Sequence, residues 1–129
     1  VLIWNAIPTS HNQAADLVLG QPDMVSNAAD PDTVSASTLN QPYSVTLNAG
    51  KLHVADRYNS RVLSWNQIPT SSATPADEVW AQSDFQKQRP NIGGIDHDTL
   101  SQPLVLRAYG QTMYIGDSHN FRLVLRHLE

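Results

Sequence analysis

Over short stretches of this chain polar and apolar residues alternate, and turn residues separate one stretch from the next. In "YSVTL" (43–47) the alternation puts Tyr43, Val45 and Leu47 on one face of a strand, and the "NAG" that follows is a tight-turn signal. "KLHVAD" (51–56) predicts a second strand with Leu52 and Val54 inward and Lys51 and His53 outward. "SRVLSWN" (60–66) predicts a third, and "DEVWAQ" (77–82), beyond a loop bounded by Pro69 and Pro75, a fourth. Prolines at 8, 22, 42, 69, 75, 90 and 103 fall between these segments, where a missing N–H takes nothing from a ladder. No stretch of a dozen residues carries an apolar stripe of helical period.

The pattern occurs more than once. "VLIWNAIPTS" (1–10) returns as "VLSWNQIPTS" (62–71), and at the same shift of 61 residues Ala15-Asp16 meets Ala76-Asp77, Gln21 meets Gln82, Thr38-Leu39 meets Thr99-Leu100 and Gln41-Pro42 meets Gln102-Pro103. Asp56, Asn59 and Arg61 meet Asp117, Asn120 and Arg122 without a gap. The 129 residues are thus two units and a remainder that copies the first residues of the chain. Numbering the strands of a unit first to fourth, residues 1–21 hold third and fourth strands (1–8, 16–21) and 43–82 a complete set (43–47, 51–56, 60–66, 77–82). Residues 104–127 hold first to third strands (104–108, 112–117, 121–127). A repeated unit of four antiparallel strands predicts an all-β fold of β-propeller blades, two per chain, in a single segment spanning 1–129.

Two blades cannot bend into a ring alone, and an isolated pair leaves sheet faces and an edge uncovered. The half-built ends predict that strands 16–21 of one copy finish the sheet begun by 104–125 of another. Val1 to Ile7 and Leu123 to Glu129 are copies of the same third strand and compete for one slot. Trp4 favours the first, and the short link from Ser118 to Phe121 favours the second.

The stretch "LNQPYSVTLNAGKLHVADRYNSRVLSWN" (39–66) resembles the NHL repeat, with its Pro-x-x-Val, short hairpin, Val-Ala-Asp corner and Asn-x-Arg-Val. The "IPTS…AD…GQ" extension is similar to bacterial NHL-like proteins with long blades. The last unit keeps Pro103, Asp117, Asn120 and Arg122 but carries Gly116 where the pattern prefers Ala, and Arg126 where the earlier copies have Trp. The resemblance implies a six-bladed ring, hence a homotrimer of two-blade chains. It also implies that Asp56 and Asp117 cap the turn between second and third strands while Arg61 and Arg122 support it. Recurrence in each unit gives Asp56, Asn59, Arg61, Asp117, Asn120 and Arg122 a scaffolding role, and Trp4 and Trp65 a packing role. Trp80, on the fourth, outermost strand, has no partner tryptophan in the other copy, and its place there fits an interface and a partial core equally.

Charge and composition narrow the chemistry. The net charge is −4 and the basic residues are scattered, which points away from nucleic acid. The chain has no cysteine, so disulfides and thiolate chemistry are excluded, while a cytoplasmic or an exported bacterial-type protein fits equally. Its apolar runs fall far short of the roughly 20 residues of a membrane span, so no membrane partner is expected. It opens on Val rather than Met, which fits a processed chain or a piece of a longer one.

The loops 22–40 and 83–101 diverge most between copies and predict the functional rim. The first is acidic, with Asp23, Asp30 and Asp32; the second carries Lys87, Arg89, Asp96, His97 and Asp98, a bias that predicts docking of loop on loop. Asp96, His97 and Asp98 are the nearest approach to a metal-ligand cluster, but adjacent residues in a strand point opposite ways and no second cluster accompanies them, so a solvated loop is favoured. Tyr58 and His119, on equivalent turns, are candidates for a ring of side chains at the channel mouth. No Ser-His-Asp spacing, glycine-rich phosphate loop or Walker motif occurs, so neither a catalytic residue nor a metal or cofactor is assigned. The reading is a non-catalytic scaffold binding a protein, peptide or small polar ligand. The alternative, implied by the NHL resemblance, is a metal-dependent lyase or hydrolase with its site at the channel.

Overall fold

The computed structural model describes residues 1–30 and 33–128, so Asp32 and Glu129 lie outside the described residues. Nine strands run in chain order: β1 Leu2–Ile3, β2 Leu17–Val18, β3 Pro42–Asn48, β4 Lys51–Asp56, β5 Arg61–Trp65, β6 Glu78–Trp80, β7 Pro103–Tyr109, β8 Thr112–Asp117 and β9 Arg122–His127. They form three antiparallel sheets, an N-terminal β1-β2, a central β3-β4-β5-β6 and a C-terminal β7-β8-β9. The protein is all-β, with 5% helix confined to the 3-10 turns η1 (Arg57–Asn59) and η2 (Ser118–Asn120). Pro42 and Pro103 lie inside strands rather than between them, at the first position, where the absent N–H costs no ladder bond. The two copies of the third strand do not compete within one chain, because β1 pairs with β2 and β9 with β8.

The local chemistry explains the hairpins. The β3-β4 turn puts Ala49 at φ 48° and Gly50 at φ 81°, the left-handed pair that a two-residue turn between right-twisted strands requires. Left-handed residues recur at the 61-residue spacing in Asn12 and Ala73, Asp30 and Asn91, Gln41 and Gln102, and Ser60 and Phe121. The repeat is therefore one of backbone conformation as well as of side chains.

Apolar side chains meet in two seams. Leu19 and Leu39 pack on Leu52, Val54, Leu63, Trp65 and Ala76 where the N-terminal sheet meets the central one. Ala55, Val62, Trp80 and Leu100 pack on Leu106, Met113, Ile115 and Leu128 where the central sheet meets the C-terminal one. Each large side chain so buried contributes about 1.5–3 kcal/mol. β3 and β7 run side by side in the second seam, and the Leu106 N–H donates to Ser44 Oγ at 3.1 Å.

In the central sheet β4 and β5 are covered on both faces, and this overturns the outward placement of His53. The residue is 2% exposed, because the strand face opposite Leu52 and Val54 lies under the second seam. Tyr43, Val45 and Leu47 do share one face as expected, yet that face is open, at 62%, 48% and 59% exposure.

Candidate functional site

The repeated polar residues build one node in each of the two larger sheets. The Asp56 carboxylate accepts from the Asn40 N–H (2.7 Å), Asn59 Nδ2 (2.8 Å) and Arg61 Nε (2.7 Å). Asp117 accepts from the Ser101 N–H (2.6 Å), Asn120 Nδ2 (2.8 Å) and Arg122 Nε (2.8 Å). Neither aspartate makes a side-chain cap to its 3-10 turn; each holds the chain just before the first strand of its sheet. Burial pushes the Asp56 carboxyl above its ordinary value, against the pull of Arg61 and the hydrogen bonds from Asn40 and Asn59.

Arg61, fully buried, joins the two long loops. Its Nη2 donates to the Ser35 and Thr38 carbonyls of the first loop, both at 3.0 Å, and its Nη1 to the Phe85 carbonyl of the second at 2.5 Å. Loop therefore meets loop through one guanidinium, a contact that charge bias between the loops did not reveal. Arg122 repeats the Nη2 pair, to the Asp96 and Thr99 carbonyls (2.7 and 2.6 Å), and its side chain is 27% exposed.

The two tryptophans of the repeat are also equivalent in bonding, Trp4 Nε1 donating to the Gln13 carbonyl and Trp65 Nε1 to the Thr74 carbonyl, each at 3.0 Å. They differ in cover: Trp65 is 2% exposed and Trp4 38%.

Tyr58 and His119 sit on η1 and η2, with their N–H groups donating to the Asn40 and Ser101 carbonyls at 3.2 Å. Tyr58 lies under the Arg57 guanidinium (4.9 Å to the ring centre) and lines a cleft with Val1, Leu19 and Leu39, a cleft His119 does not line. One chain does not bring the two together there.

Asp96, His97 and Asp98 are held in a turn, so the alternation expected of a strand fails and both carboxylates converge on the imidazole. Asp96 Oδ1 is 2.6 Å from His97 Nδ1 and Asp98 Oδ2 is 3.1 Å from His97 Nε2. The hydrogen bond to Asp96, then the charges of Asp98 and Asp96, hold the His97 pKa above its ordinary value, and the bonds from His97 hold Asp96 below its own. All three side chains are at least 69% exposed, so solvent screens these pairs. Among the described residues no three His, Asp or Glu side chains are placed to share a metal ion.

The concave surface with the richest chemistry lies at the mouth of the second seam, around Trp80. The indole is 8% exposed and the Arg126 guanidinium lies 4.4 Å from its ring centre. On one side of this pair a cleft of about 200 Å³ is lined by His97, Asp98, Leu100, Ile115 and Val124. On the other a cleft of about 220 Å³ is lined by Lys51, His53, Glu78 and His127. Burial, aided by the Lys51 charge and opposed by Glu78, holds the His53 pKa below the ordinary 6.5. Sequence reasoning singled out Trp80 and Arg126 as departures from the repeat but did not bring them together, and it missed His53 by turning it outward. The signal was present: both departures sit where one copy differs from the other.

No protein-family model matches this chain, and no curated protein matches it.

Proposed function

We propose that the chain is a non-catalytic β-propeller scaffold of the NHL type whose blades are completed between copies, three chains closing a six-bladed ring that presents its long loops and channel rim to a protein or small polar ligand. One observation carries the reading: the hydrogen bonds missing at one end of the chain are complementary to those missing at the other.

Arg61 Nη1 donates to the Phe85 carbonyl, a bond with no counterpart at Arg122 among the described residues. Shifted back by 61, Phe85 becomes Met24, in the first loop. Gln82 Nε2 donates to the Ser60 carbonyl at 3.1 Å and to the Arg89 carbonyl at 2.8 Å. Its equivalent Gln21 makes only the second of these, to Ala28 at 2.7 Å. The acceptor equivalent to Ser60 is Phe121, at the far end of the chain, 96% exposed. A second copy set against the first supplies Met24 to Arg122 and Phe121 to Gln21 in one movement. With six units to a turn, as the NHL type implies, repeating between copies the relation of successive units closes a ring of three chains.

Apolar cover follows the same pattern. Val105, Leu123 and Leu125 on the C-terminal sheet are 48%, 60% and 59% exposed and would lie against the open Tyr43, Val45 and Leu47 face of a neighbour. The free edge of β9 would receive the neighbour's β2 as a fourth strand, β9 taking the place beside β2 that β1 holds within one chain.

Amide hydrogen exchange along β9 as a function of protein concentration tests the reading. The β9 amides that do not pair with β8 gain protection as concentration rises. Solvent-rate exchange of those amides at every concentration would remove the proposal.

A further inference from the structure

Equivalent positions of the two seams differ in chemistry at one cluster. Leu17, Leu19 and Trp65 are buried at or beside the first seam; 61 residues on, the same positions are Glu78, Trp80 and Arg126 at the second. Asn66 becomes His127 at the same shift, and His53 lies across from it on β4. A scaffold that repeats its residues elsewhere has replaced an apolar corner by a charged one, and such a local departure from good packing marks a site in use.

The geometry of the corner is that of an anion pocket. The Arg126 guanidinium is held over the Trp80 ring at 4.4 Å, which sets the plane of its fork of donors. His53 is 2% exposed, with Nδ1 held at 2.8 Å by Ser64 Oγ, and its Nε2 is buried without a partner. When the Ser64 hydroxyl donates to Nδ1, Nε2 carries the proton and is a donor in want of an acceptor. Lys51 and His127 line the same cleft of about 220 Å³. The acidic group on this lining, Glu78, accepts from the Trp80 indole N–H at 3.3 Å, so one of its oxygens is engaged. Asp98 reaches Arg126 only at 3.9 Å and from the other cleft. Two cations, Arg126 and Lys51, share this corner in a chain whose net charge is −4.

We propose that this cleft binds a small oxyanion, a phosphate or carboxylate group, held by the Arg126 guanidinium with Lys51, His127 and the unpartnered His53 Nε2 as further donors. Guanidinium forks match the spacing of oxyanion oxygens, and charge-assisted bonds in a half-covered site outlast those at an open surface. An anion beside His53 favours its protonated form, so binding takes up a proton and tightens as pH falls toward the His53 value, which burial holds below the ordinary 6.5. The groups that face this histidine are Lys51, Glu78, Arg126 and His127, and Lys51 and Glu78 pull its proton in opposite directions. The site lies within one chain and stands whether or not copies assemble.

The test is NMR of the His53 imidazole and Trp80 indole resonances during separate titrations with inorganic phosphate and with acetate, ionic strength held constant with chloride. Saturable shifts of both resonances with one common Kd, by either anion and tightening as pH is lowered toward the His53 value, are expected. Arg126→Trp restores the residue of the other two copies and should fold while abolishing the shifts; Arg126→Lys should keep binding weakened roughly tenfold, a loss of one bidentate contact. Should Arg126→Trp fail to fold, His53→Gln takes its place, read at the Trp80 indole alone, with the same expected loss. Shifts no larger than chloride gives, or an unchanged Kd in the folded variant, would overturn the proposal.

Discussion

Val62 and Leu123 hold the same place in two copies of one unit, on equivalent strands after equivalent turns, yet Val62 is 0% exposed and Leu123 60%. Val45 and Leu106 show the converse, 48% against 0%. Within each pair the residues are alike and only the neighbour differs: Val62 has the C-terminal sheet behind it, and Leu106 has the central sheet in front. Burial in this chain is conferred by the adjoining sheet and not by the residue's own character. The apolar faces at the two ends are therefore surfaces of the same kind as the seams between them.

The largest break in this comparison comes at the polar nodes. Arg61→Ala leaves Asp56 buried beside an empty site and frees two loops, and should lower unfolding stability by about 3–5 kcal/mol in urea denaturation. Arg122→Ala, at a node partly open to water, should cost about 1–2 kcal/mol. Equal losses would mean that the second node is already covered, and would move the boundary of the comparison.

Core truncation comes next. Leu63→Ala should cost about 2–5 kcal/mol through the cavity it leaves. Leu123→Ala should cost no more than about 0.5 kcal/mol at concentrations where the chain is alone, while weakening any association of copies. The same denaturation curves, run dilute and concentrated, separate the two effects.

Much of this architecture was legible from residue identity. The 61-residue shift is carried by turn residues and by Asp56, Asn59 and Arg61 with their copies, whose roles are local and so survive as pattern. What was not legible depends on contacts between sheets. Alternation along β4 sent His53 outward because a strand read alone has one core face, whereas a strand between two seams has two. The same reasoning left Trp80 undecided, since its cover comes from Leu106, Met113 and Ile115 of another sheet. Asp96 to Asp98 were expected in a solvated loop and lie in an exposed turn, but the strand rule set against shared ligation does not apply there, since neighbouring side chains in a turn can converge.

His53 gives a pH test of the double cover. Its folded-state pKa lies below the unfolded 6.5, so the unfolded chain takes up the proton first. Stability from this group is whole above pH 6.5 and is lost as pH falls from there toward the folded value. His53→Gln should flatten the curve of unfolding free energy against pH in that window; an unaltered slope would mean the histidine is open to water.

A further small effect, and a gain, is expected at Ala81, whose φ of 70° matches the 85° of its copy Gly20. Ala81→Gly removes a side chain from a left-handed backbone and should raise stability by a few tenths to about 1 kcal/mol, read as a higher Tm.

The central claim is that open faces at the two ends of one chain cover those of another. Light scattering on the purified chain, followed across a wide range of concentration, tests it most directly. The account predicts a mass approaching three times the 14.2 kDa of one chain, reduced by Arg122→Ala and Gln21→Ala together. A mass that stays at 14.2 kDa at the highest concentration would contradict it.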